Sequence, residues 1–503
     1  MSVFLGIDVG GTVIKAGLYR ASGEELAVAE RDGAAIAAQP GFSERNMDAL
    51  WDDVCAAIRQ TLHAAGLDAG QVRGVSFSAH GKGLYAIDRH GKPVGNGILS
   101  SDNRAAATVA ELRRAGVDAQ TYPRSLQPLW PSHPALLLRW LKQQQPAQYA
   151  AVDRILMAHD YLRFRLTGEA AAEVTNISGS NLFNQHSGAY DPALMAAFGI
   201  EEAQEKTAPV IGSAQLAGRV TAAAAAQCGL RAGTAVYGGL FDVVGAALSS
   251  GVADDRTLSA VAGTWSIATC VTERIIPADY PYAWGRYCID GRYFVHEGSP
   301  TSAGNLAWFL RQFCADDRQR YAQFNAWVAE RREQPSGLLF LPYLYGSNLG
   351  GNTPGGLIGL SAHHEMADVV QAIYQGIVFS HLIHQERMVQ LNPRIERVRM
   401  TGGPTQSEVW MQMYADAGNL PLEVVETRQS GCRAAALCAA VGAGEYAGFA
   451  EAIAAAPPKL RRYYPATAAH RRLRAQQARY LAVAQALSEV TDANDYRRLS
   501  GAV

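Results

Sequence analysis

Residues 4–19, FLGIDVGGTVIKAGLY, constrain the fold of this chain most, because two β-prone runs flank a double glycine. Leu5, Ile7 and Val9 alternate with other residues as in a buried strand, and residues 13–18 resume the pattern after the glycines. Two such runs joined by a short glycine turn predict a β-hairpin.

The side chains at this turn suit an anion and its metal ion. Glycines let backbone N–H groups approach an oxyanion, Thr12 adds a hydroxyl group and Lys15 a positive charge. Asp8, on the strand just before the turn, offers a carboxylate to a hydrated divalent cation. The combination favours a polyphosphate site, although an ordinary hairpin with a Gly-Gly turn has the same local pattern.

A second stretch repeats this design in the other half of the chain. Residues 257–272, TLSAVAGTWSIATCVT, place alternating apolar residues on both sides of Gly263-Thr264. Thr264 follows Thr12 by 264 − 12 = 252 positions, about half of the 503 residues. The repeat predicts a duplicated fold with halves at residues 1–252 and 253–503 and one nucleotide held between them.

Composition narrows the class of protein. The formal net charge is −1, which gives no electrostatic reason for nucleic acid or an anionic membrane as a partner. Seven scattered cysteines without C-x-x-C spacing indicate neither a disulfide framework nor a zinc site, and are expected to be buried thiols in a reducing cytoplasm. The N-terminal residues lack the features of a secretory signal, and no long uncharged apolar run predicts a membrane span.

Polar residues follow several predicted strands. A strand at residues 72–78 ends at a glycine-rich turn with His80 and Lys82, where ligands of open α/β sheets usually bind. Residues 98–104, ILSSDNR, gather donors and acceptors suited to a polyhydroxylated ligand, and Trp130 could form a wall for a sugar face. Each of these features is also compatible with a solvated loop.

A carboxylate stands at a predicted helix start. A strand ends at Gly238-Gly239, and a helix of small residues is predicted from about Asp242. Asp242 can be an ordinary N-cap, a catalytic group or both, because a helix N-terminus stabilises an ionised carboxylate.

The same order of a strand, a double glycine and a helix recurs around Gly402-Gly403. This turn could give an adenosine group a flat backbone surface.

Two clusters resemble metal sites only superficially. His363-His364-Glu365 and His296-Glu297 lack the His-Glu-x-x-His spacing that puts two imidazoles on one helix face. The Walker A motif is also absent, so nucleotide chemistry would need another phosphate-binding turn.

In combination, these stretches resemble the FGGY carbohydrate kinases of the actin-like ATPase superfamily over nearly the whole chain. The matching motifs are GIDVGGT, SAHGKGL, SSDNRA, GGLFDVVGAAL, AGTWSIA, GLIGLSAHHEMADVVQAIYQG and TGGPTQSEVWMQMYAD. The resemblance implies an α/β fold of two actin-like (ribonuclease H-like) ATPase domains with a cleft between them. Four motif sequences are most similar to those of bacterial L-xylulose kinases: SAHGKGL, HDYLRFRLTG, GTWSIA and SPTSAGNLAWF. This similarity implies ATP-dependent phosphorylation of a ketopentose.

The resemblance also implies roles for individual residues. Asp242 would be the general base, needing only an ordinary carboxylate pKa, and Asp8 would lie near Mg²⁺. The residues that would hold the phosphates of ATP are Gly11, Thr12, Lys15, Gly263 and Thr264. Those that would face adenosine are Gly402, Gly403, Ser407 and Asn305. Those on the sugar side would be His80, Gly81, Asp102, Trp130 and Phe241.

Some departures from the family pattern leave alternatives open. D-xylulose kinases usually carry Gln-Met-His-Gly where this chain has Ser78-Ala79-His80-Gly81, and Thr401 replaces the first of three glycines in the adenine loop. A kinase for D-xylulose, ribulose, glycerol or another polyol stays an alternative, as does a non-catalytic sugar-responsive regulator or a chaperone-like or filament-forming ATPase. The expected partner is a small sugar in the cytoplasm, with no nucleic acid or membrane. The oligomeric state is open, with a homodimer as one option.

Overall fold

The computed structural model describes residues 2–315, 317–349, 353–427 and 429–493. They form two compact units. The first comprises Met1–Ala253, Val271–Val295 and Arg428–Pro458, and the second Asp254–Cys270, His296–Thr427 and Lys459–Val503. Two segments from the second half of the chain therefore belong to the first unit, which a single boundary at 252/253 did not anticipate.

The strands are β1 (Val3–Val9), β2 (Val13–Arg20), β3 (Glu25–Asp32), β4 (Glu44–Arg45), β5 (Val72–Ala79), β6 (Gly97–Ile98), β7 (Ala172–Glu173), β8 (Phe183–Asn184), β9 (Ala189–Tyr190), β10 (Val210–Ile211), β11 (Leu216–Arg219), β12 (Ala235–Tyr237), β13 (Leu240–Phe241), β14 (Thr257–Ala262), β15 (Ser266–Thr272), β16 (Ala283–Arg286), β17 (Tyr293–Ser299), β18 (Leu339–Leu341), β19 (Gly356–Ile358), β20 (Arg397–Thr401), β21 (Leu422–Val425) and β22 (Leu460–Tyr463).

The α-helices are α1 (Met47–Ala65), α2 (Ala106–Arg114), α3 (Val117–Ser125), α4 (Pro134–Gln144), α5 (Pro146–Ala151), α6 (Ala158–Thr167), α7 (Val174–Ile177), α8 (Pro192–Ala197), α9 (Ala222–Cys228), α10 (Asp242–Ser249), α11 (Gly304–Phe313), α12 (Arg320–Glu330), α13 (Met366–Leu391), α14 (Glu408–Gly418), α15 (Ser430–Gly442), α16 (Phe449–Ala455) and α17 (Thr467–Ala493).

The first unit is built on a mixed sheet with the strand order β11-β12-β5-β1-β2-β3, and β13 pairs with β5 beside β12. The predicted opening hairpin is confirmed, since β1 pairs with β2 antiparallel. β5 runs parallel to β1 and to β13. The alternating residues Leu5, Ile7 and Val9 are fully buried, so the period-2 pattern marks the core face of β1.

Two helices cover this sheet. α1 covers residues 47–65, over which the helical spacing of apolar residues in the sequence predicts a helix. It begins after Asn46, whose side chain accepts from Ala49 N–H, and ends at Gly66 in the left-handed region. α15 packs against β1 and β5. The approach is so close that a Cβ on Gly6 would lie 1.9 Å from the carbonyl oxygen of Cys432. A glycine in β1 is therefore required for this helix to pack.

The second unit contains the strand order β15-β14-β20-β21-β22. β14 and β15 form the second predicted hairpin, and β14, β20 and β21 run parallel. The charged sequence of residues 461–487 predicts a terminal helical region, and this prediction is wrong at its start. There β22 pairs with β21, and α17 begins only at Thr467. Pro465 accounts for this late start, because a proline disfavours helical conformation in the residue before it.

One helix in the described ranges, α13, is long and apolar enough to cross a membrane. Within the protein, 83% of its apolar window is buried, as in the core helix of a globular domain. All seven cysteines are free and buried, as expected for structural thiols.

Candidate active site

The carboxyl ends of three strands meet at one edge of the first sheet. Val9 is the register partner of Ala79, and Ala79 is the register partner of Phe241. The N–H of His80 donates to the carbonyl of Val9 at 3.1 Å, which joins the two turns directly. The glycine turn after β1, the loop after β5 and the start of α10 after β13 therefore lie side by side.

Two carboxylates, Asp8 and Asp242, interact at this edge. Burial raises the pKa of Asp8 to about 6, and the nearby Lys15 partly opposes this effect. Burial also raises the pKa of Asp242 to about 7, and the charge of Asp8 raises it further, whereas the Val243 N–H and Lys82 lower it. The expectation of an ordinary carboxylate pKa for Asp242 does not hold, because the loss of solvation outweighs the stabilisation by the helix start.

Asp242 is the first residue of α10, not its N-cap. Phe241 occupies the N-cap position, in extended conformation and without a side-chain capping bond. The Asp242 carboxylate therefore does not occupy the N-cap position, although it interacts with the Val243 N–H in the first turn of α10.

The donors near Asp8 suit a divalent cation. Two half-buried carboxylates that repel each other offer hard oxygen ligands and an excess of negative charge, which Mg²⁺ prefers. In the ranges that the structure describes, no group of three or more His, Cys, Asp or Glu side chains is arranged to hold a metal ion. Mg²⁺ is usually bound by one or two carboxylates together with substrate phosphates.

Arg45, which sequence reasoning missed, holds the first glycine turn. Its guanidinium donates to the carbonyl of Gly10 at 3.2 Å and to that of Gly11 at 2.5 Å. Arg45 is only 2% exposed, whereas Gly11 and Thr12 are exposed. With the carbonyls turned inward to Arg45, the exposed side of the turn is free for an anion. No sequence motif marks Arg45, which lies 34 residues from Gly11.

Lys15 lies opposite Asp8 in the hairpin register. Its ammonium group donates to Gln429 Oε1 at 3.0 Å and lies 3.4 Å from Glu30. Gln429 in turn donates to Glu30 at 2.7 Å. The Lys15 charge is therefore shared with this cluster, so phosphate binding by Lys15 would require it to leave these partners.

Of the residues predicted for the sugar side, Gly81 packs against Phe241, and Trp130 lies next to Lys82. A Cβ on Gly81 would lie 2.1 Å from the Phe241 ring, so only glycine allows the ring to rest on this loop. The ammonium group of Lys82 lies 5.5 Å from the centre of the Trp130 ring, and Trp130 is 39% exposed. The residues beside Gly81 therefore present two aromatic rings, Phe241 and Trp130, and one positively charged side chain, Lys82.

The side chains of His80 and Asp102 are buried and form hydrogen bonds within the protein. The ring nitrogens of His80 bond with the Gly81 carbonyl at 3.2 Å and the Tyr85 hydroxyl at 3.0 Å, and burial lowers its pKa to about 4. Asp102 is fully buried and accepts from Ser43 N–H at 2.7 Å and from Arg104 at 2.9 Å. Both side chains anchor loops, and direct sugar contact by them stays a prediction.

A buried polar network behind the loops was also missed. Asn176 donates to the His80 carbonyl and accepts from the Lys82 N–H, both at 3.3 Å. The Thr175 hydroxyl donates to Glu173 at 2.7 Å and accepts from the Phe241 N–H at 2.9 Å. α7 therefore positions both the loop after β5 and the residue before Asp242. The only sequence signal was the polar character of residues 176–184.

In the second unit, the predicted nucleotide turns lie next to each other. Gly263-Thr264 follows β14 and Gly402-Gly403 follows its parallel neighbour β20. Gly402 has a φ of +109°, and a Cβ on it would lie 2.1 Å from the carbonyl oxygen of Ala262. Thr264 and Gly403 are exposed. The two turns together present open backbone at one edge of this sheet.

Ser407 and Asn305 are both buried. Ser407 caps α14, with its side chain accepting from the Trp410 N–H, and donates to Asn325 Oδ1 at 2.7 Å. Asn305 donates to the Ser302 carbonyl at 3.2 Å, while its Oδ1 has no hydrogen-bond partner among the described residues. Of the two, Asn305 retains an acceptor for a ligand.

Comparisons with known proteins agree with this geometry. The model of the FGGY family of carbohydrate kinases, N-terminal domain, matches residues 3–249, and that of the C-terminal domain matches residues 258–443. The chain is 44% identical over 478 residues to the L-xylulose/3-keto-L-gulonate kinase of Escherichia coli (strain K12), covering 95% of each protein. It is 46% identical over 448 residues to a probable L-xylulose kinase of Pasteurella multocida (strain Pm70), covering 89% of this chain and 92% of the relative.

Solved structures support the fold. The ligand-bound xylulose kinase from Lactobacillus acidophilus matches with a TM-score of 0.90 at 20% identity, covering 97% of this chain and 98% of that one. The xylulose kinase from Rhodospirillum rubrum matches with a TM-score of 0.85 at 23% identity, covering 96% of this chain and 98% of that one. The predicted α/β fold with two actin-like domains is thereby confirmed. The family models and the relatives confirm the predicted kinase class. The chain belongs to the FGGY family of carbohydrate kinases.

Proposed function

We propose that this carbohydrate kinase transfers the γ-phosphoryl group of ATP to a hydroxyl of a ketopentose, with L-xylulose as the preferred acceptor and xylulose 5-phosphate as product. The observation that carries the proposal is the meeting of Asp242, Asp8 and the first glycine turn at one edge of the first sheet. The choice of sugar is supported by the names of the two relatives that are 44% and 46% identical.

Asp242 is the general base in this proposal. As the acceptor oxygen forms its bond to the γ-phosphorus, the hydroxyl proton passes to the Asp242 carboxylate, and the bond from phosphorus to the bridging oxygen of ADP breaks. Phosphoryl transfer has a loose transition state, so alignment and charge neutralisation contribute most of the catalysis. A base with a pKa of about 7 matches neutral conditions well, because a stronger base accepts the late proton more readily.

Asp8 is the residue that would hold Mg²⁺, with Asp242 close enough for their charges to interact. When bound, Mg²⁺ neutralises charge on the phosphate oxygens of ATP. Asp8 is held on the rigid strand β1, and its carboxyl group fills the space where a Cβ on Gly431 would lie, at 2.3 Å. The close contact with α15 restricts the carboxylate orientation toward the site.

The exposed turns are the proposed phosphate contacts. Gly11 and Thr12 offer backbone N–H groups and a hydroxyl in the first unit, with Lys15 as an added charge, and Gly263 and Thr264 do so in the second. Gly402 and Gly403 would face adenosine, with Asn305 Oδ1 as a candidate acceptor for one of its polar groups. Ser407 would contribute mainly by capping α14.

On the acceptor side, Gly81, Phe241 and Trp130 would contact the apolar face of the sugar, while His80 and Asp102 keep the loops in place. A neutral imidazole at His80 follows from its lowered pKa and lets it stay bonded to Tyr85 and Gly81. The proposed location is the cytoplasm, where seven free buried thiols are stable and ATP is abundant.

The substitution Asp242→Asn tests the role of the base. We expect kcat for L-xylulose to fall by about 10²–10⁴-fold, while sugar binding measured by calorimetry stays close to that of the wild type. Asp52→Asn, on the exposed face of α1, is the matched control and should keep full turnover. A variant at position 242 that retains kcat within about tenfold would contradict the assignment.

The pH dependence gives a second readout of the same role. Because the base acts as a carboxylate, kcat/KM should be half-maximal near pH 7 and fall as the pH drops below this value.

D-xylulose and ribulose, assayed in parallel by ADP release, test the choice of sugar. A higher kcat/KM for either of them would reject L-xylulose as the preferred acceptor but keep the kinase mechanism.

A further inference from the structure

Glu173, the last residue of β7, accepts four hydrogen bonds with its side chain. Oε1 accepts from the Thr175 N–H at 2.9 Å and from the Ser213 hydroxyl at 2.7 Å. Oε2 accepts from the Thr175 hydroxyl at 2.7 Å and from the Asn176 N–H at 3.2 Å. Glu173 is fully buried. Because a carboxylate offers two acceptor oxygens and no donor, it can satisfy all four of these donors at once.

Two of the donor residues also hold the backbone that leads to Asp242. The Thr175 hydroxyl accepts from the Phe241 N–H at 2.9 Å. The Ser213 carbonyl accepts from the Gly239 N–H at 3.0 Å. Both bonds therefore connect the buried carboxylate to the short segment before the base. Since α10 begins with Asp242 directly after Phe241, a displacement of this segment would also displace the Asp242 carboxylate.

The third donor residue, Asn176, holds the loop after β5. Its side chain donates to the His80 carbonyl and accepts from the Lys82 N–H, both at 3.3 Å. Lys82 has a φ of +61°, a left-handed conformation that a non-glycine residue keeps only where its surroundings hold it. Glu173 is the N-cap of α7, the helix that carries Asn176, so its position helps to determine the conformation of this loop.

An ion pair beside Glu173 restrains the segment before Asp242 at another point. The Arg163 guanidinium donates to the Gly238 carbonyl and, at 3.0 Å, to Asp160 Oδ1. Asp160 also accepts from the Glu173 N–H at 3.0 Å. Buried charged groups can often be replaced by apolar residues without loss of stability, so stability alone does not explain this network. The network instead fixes two segments that lie far apart in the chain.

We propose that Glu173 is a positioning residue for phosphoryl transfer. Through Thr175 and Ser213, its carboxylate places the segment that carries the base. Through Asn176, it places the loop after β5, beside which the acceptor would bind. The inference rests on the proposed function, because that function makes Asp242 the base. One carboxylate would thereby set the distance between the base and the acceptor, and a misplacement of about 1 Å can lower a rate by about 100-fold.

The test changes each branch of the network and then the residue they share. Thr175→Val removes the hydroxyl and keeps the side-chain shape, so kcat should fall by about 10- to 100-fold with KM for the sugar within about threefold. Asn176→Leu releases the loop after β5, so KM for the sugar should rise by about tenfold with a smaller change in kcat. Glu173→Gln, whose amide has one acceptor oxygen, should show both effects.

Two controls distinguish positioning from a purely structural role. Thr175→Ser keeps the hydroxyl and should restore kcat to within about threefold of the wild type. Thr121→Val removes an equally buried hydroxyl, which donates to the Val117 carbonyl at 2.7 Å, and should keep kcat within about twofold. An effect of Thr121→Val on kcat as large as that of Thr175→Val would overturn the proposal.

A double variant tests whether the two residues act through one connection. When Glu173→Gln is combined with Thr175→Val, kcat should be no lower than with Glu173→Gln alone, because both changes break the same link. Additive losses in kcat would overturn the link. So would values of kcat and KM that stay within about threefold of the wild type in all three single variants of the network.

Amide hydrogen exchange separates this inference from the proposed function without any turnover. In Glu173→Gln, three amides held by the network should lose protection together by about tenfold or more, while those of β1 keep theirs. They belong to Gly239, Phe241 and Lys82. If the wild type phosphorylates no ketopentose but these amides lose protection together, the positioning by Glu173 stands and the ketopentose kinase is rejected. If turnover of L-xylulose is normal but Glu173→Gln changes neither protection nor kinetics, the kinase stands and the positioning role is rejected.

Discussion

The two glycine hairpins share a design but carry different chemistry. In the first, the last register pair is Val9 and Ile14, which leaves four residues in the turn, whereas the pair Ala262 and Ser266 leaves three in the second. The offset of 252 that aligns Thr12 with Thr264 places Ala260 where the first hairpin has Asp8. Ala260 is 1% exposed. The carboxylate is therefore a property of the first hairpin alone.

The turns are also held differently. The guanidinium group of Arg45 bonds to the carbonyls of Gly10 and Gly11, whereas the carbonyl of Gly263 accepts from the backbone N–H of Ala303 at 3.1 Å. A charged side chain thus supports the turn beside the two carboxylates, and a neutral backbone bond supports the other. The difference indicates that a repeated hairpin supplies the geometry, while charged chemistry is concentrated in the first unit.

Ala260→Asp would give the second hairpin a carboxylate at the position of Asp8 and should have the largest effect of the four substitutions. Ala260 is buried in β14, so an unpaired carboxylate there should lower the free energy of unfolding by about 3–5 kcal/mol. Urea denaturation measures the change, and Ala260→Ser, which adds a smaller neutral group, is the control and should cost less. Equal stability of the aspartate variant and the wild type would show that β14 tolerates an acid as β1 does.

Asp8→Ala makes the reverse change and gives the first hairpin the residue of the second. We expect kcat to fall by about 10²–10³-fold, as for loss of one electrostatic contact in a transition state, together with a weaker response to Mg²⁺. The melting temperature should stay equal or rise, because burial already disfavours the ionised form of Asp8. An unchanged dependence on Mg²⁺ would remove Asp8 from the metal site.

Arg45→Met tests the support of the first turn. Loss of hydrogen bonds from a charged donor should reduce kcat/KM for ATP by about 10- to 100-fold, mainly through KM. Arg45→Lys keeps the charge but not the forked donor geometry, so it should restore only part of the loss. If KM for ATP were unchanged in both variants, Arg45 would only stabilise the fold.

Ala303→Pro is the matched change in the second unit and should have the smaller effect. Ala303 has a φ of −57°, which proline adopts, and the substitution removes the N–H that bonds to Gly263. Loss of one neutral hydrogen bond should change kcat/KM for ATP by less than about tenfold. A loss greater than that of Arg45→Met would show that the second turn depends more on its support than the first.

The sequence predicts the local secondary structure of several elements correctly. Both hairpins, α1 and the strand and glycine turn at Gly402 have the predicted character, because strand and helix periodicities depend on nearby residues. The positions of Gly11, Gly81 and Asp242 after strand ends followed from the same local signals. The late start of α17 was missed although Pro465 is a local signal against an earlier helix.

The repeated hairpins, the family and the residue types available for phosphoryl transfer could all be predicted from the amino-acid sequence. Three other features become visible only in the folded chain: α15 packs on β1 and β5, Arg45 holds the first turn, and His80 and Asp102 are buried. The raised pKa of Asp242 and the contact of the Lys82 ammonium group with the Trp130 ring also depend on the folded chain. Burial and charge pairing depend on residues far apart in the chain, which no local pattern records.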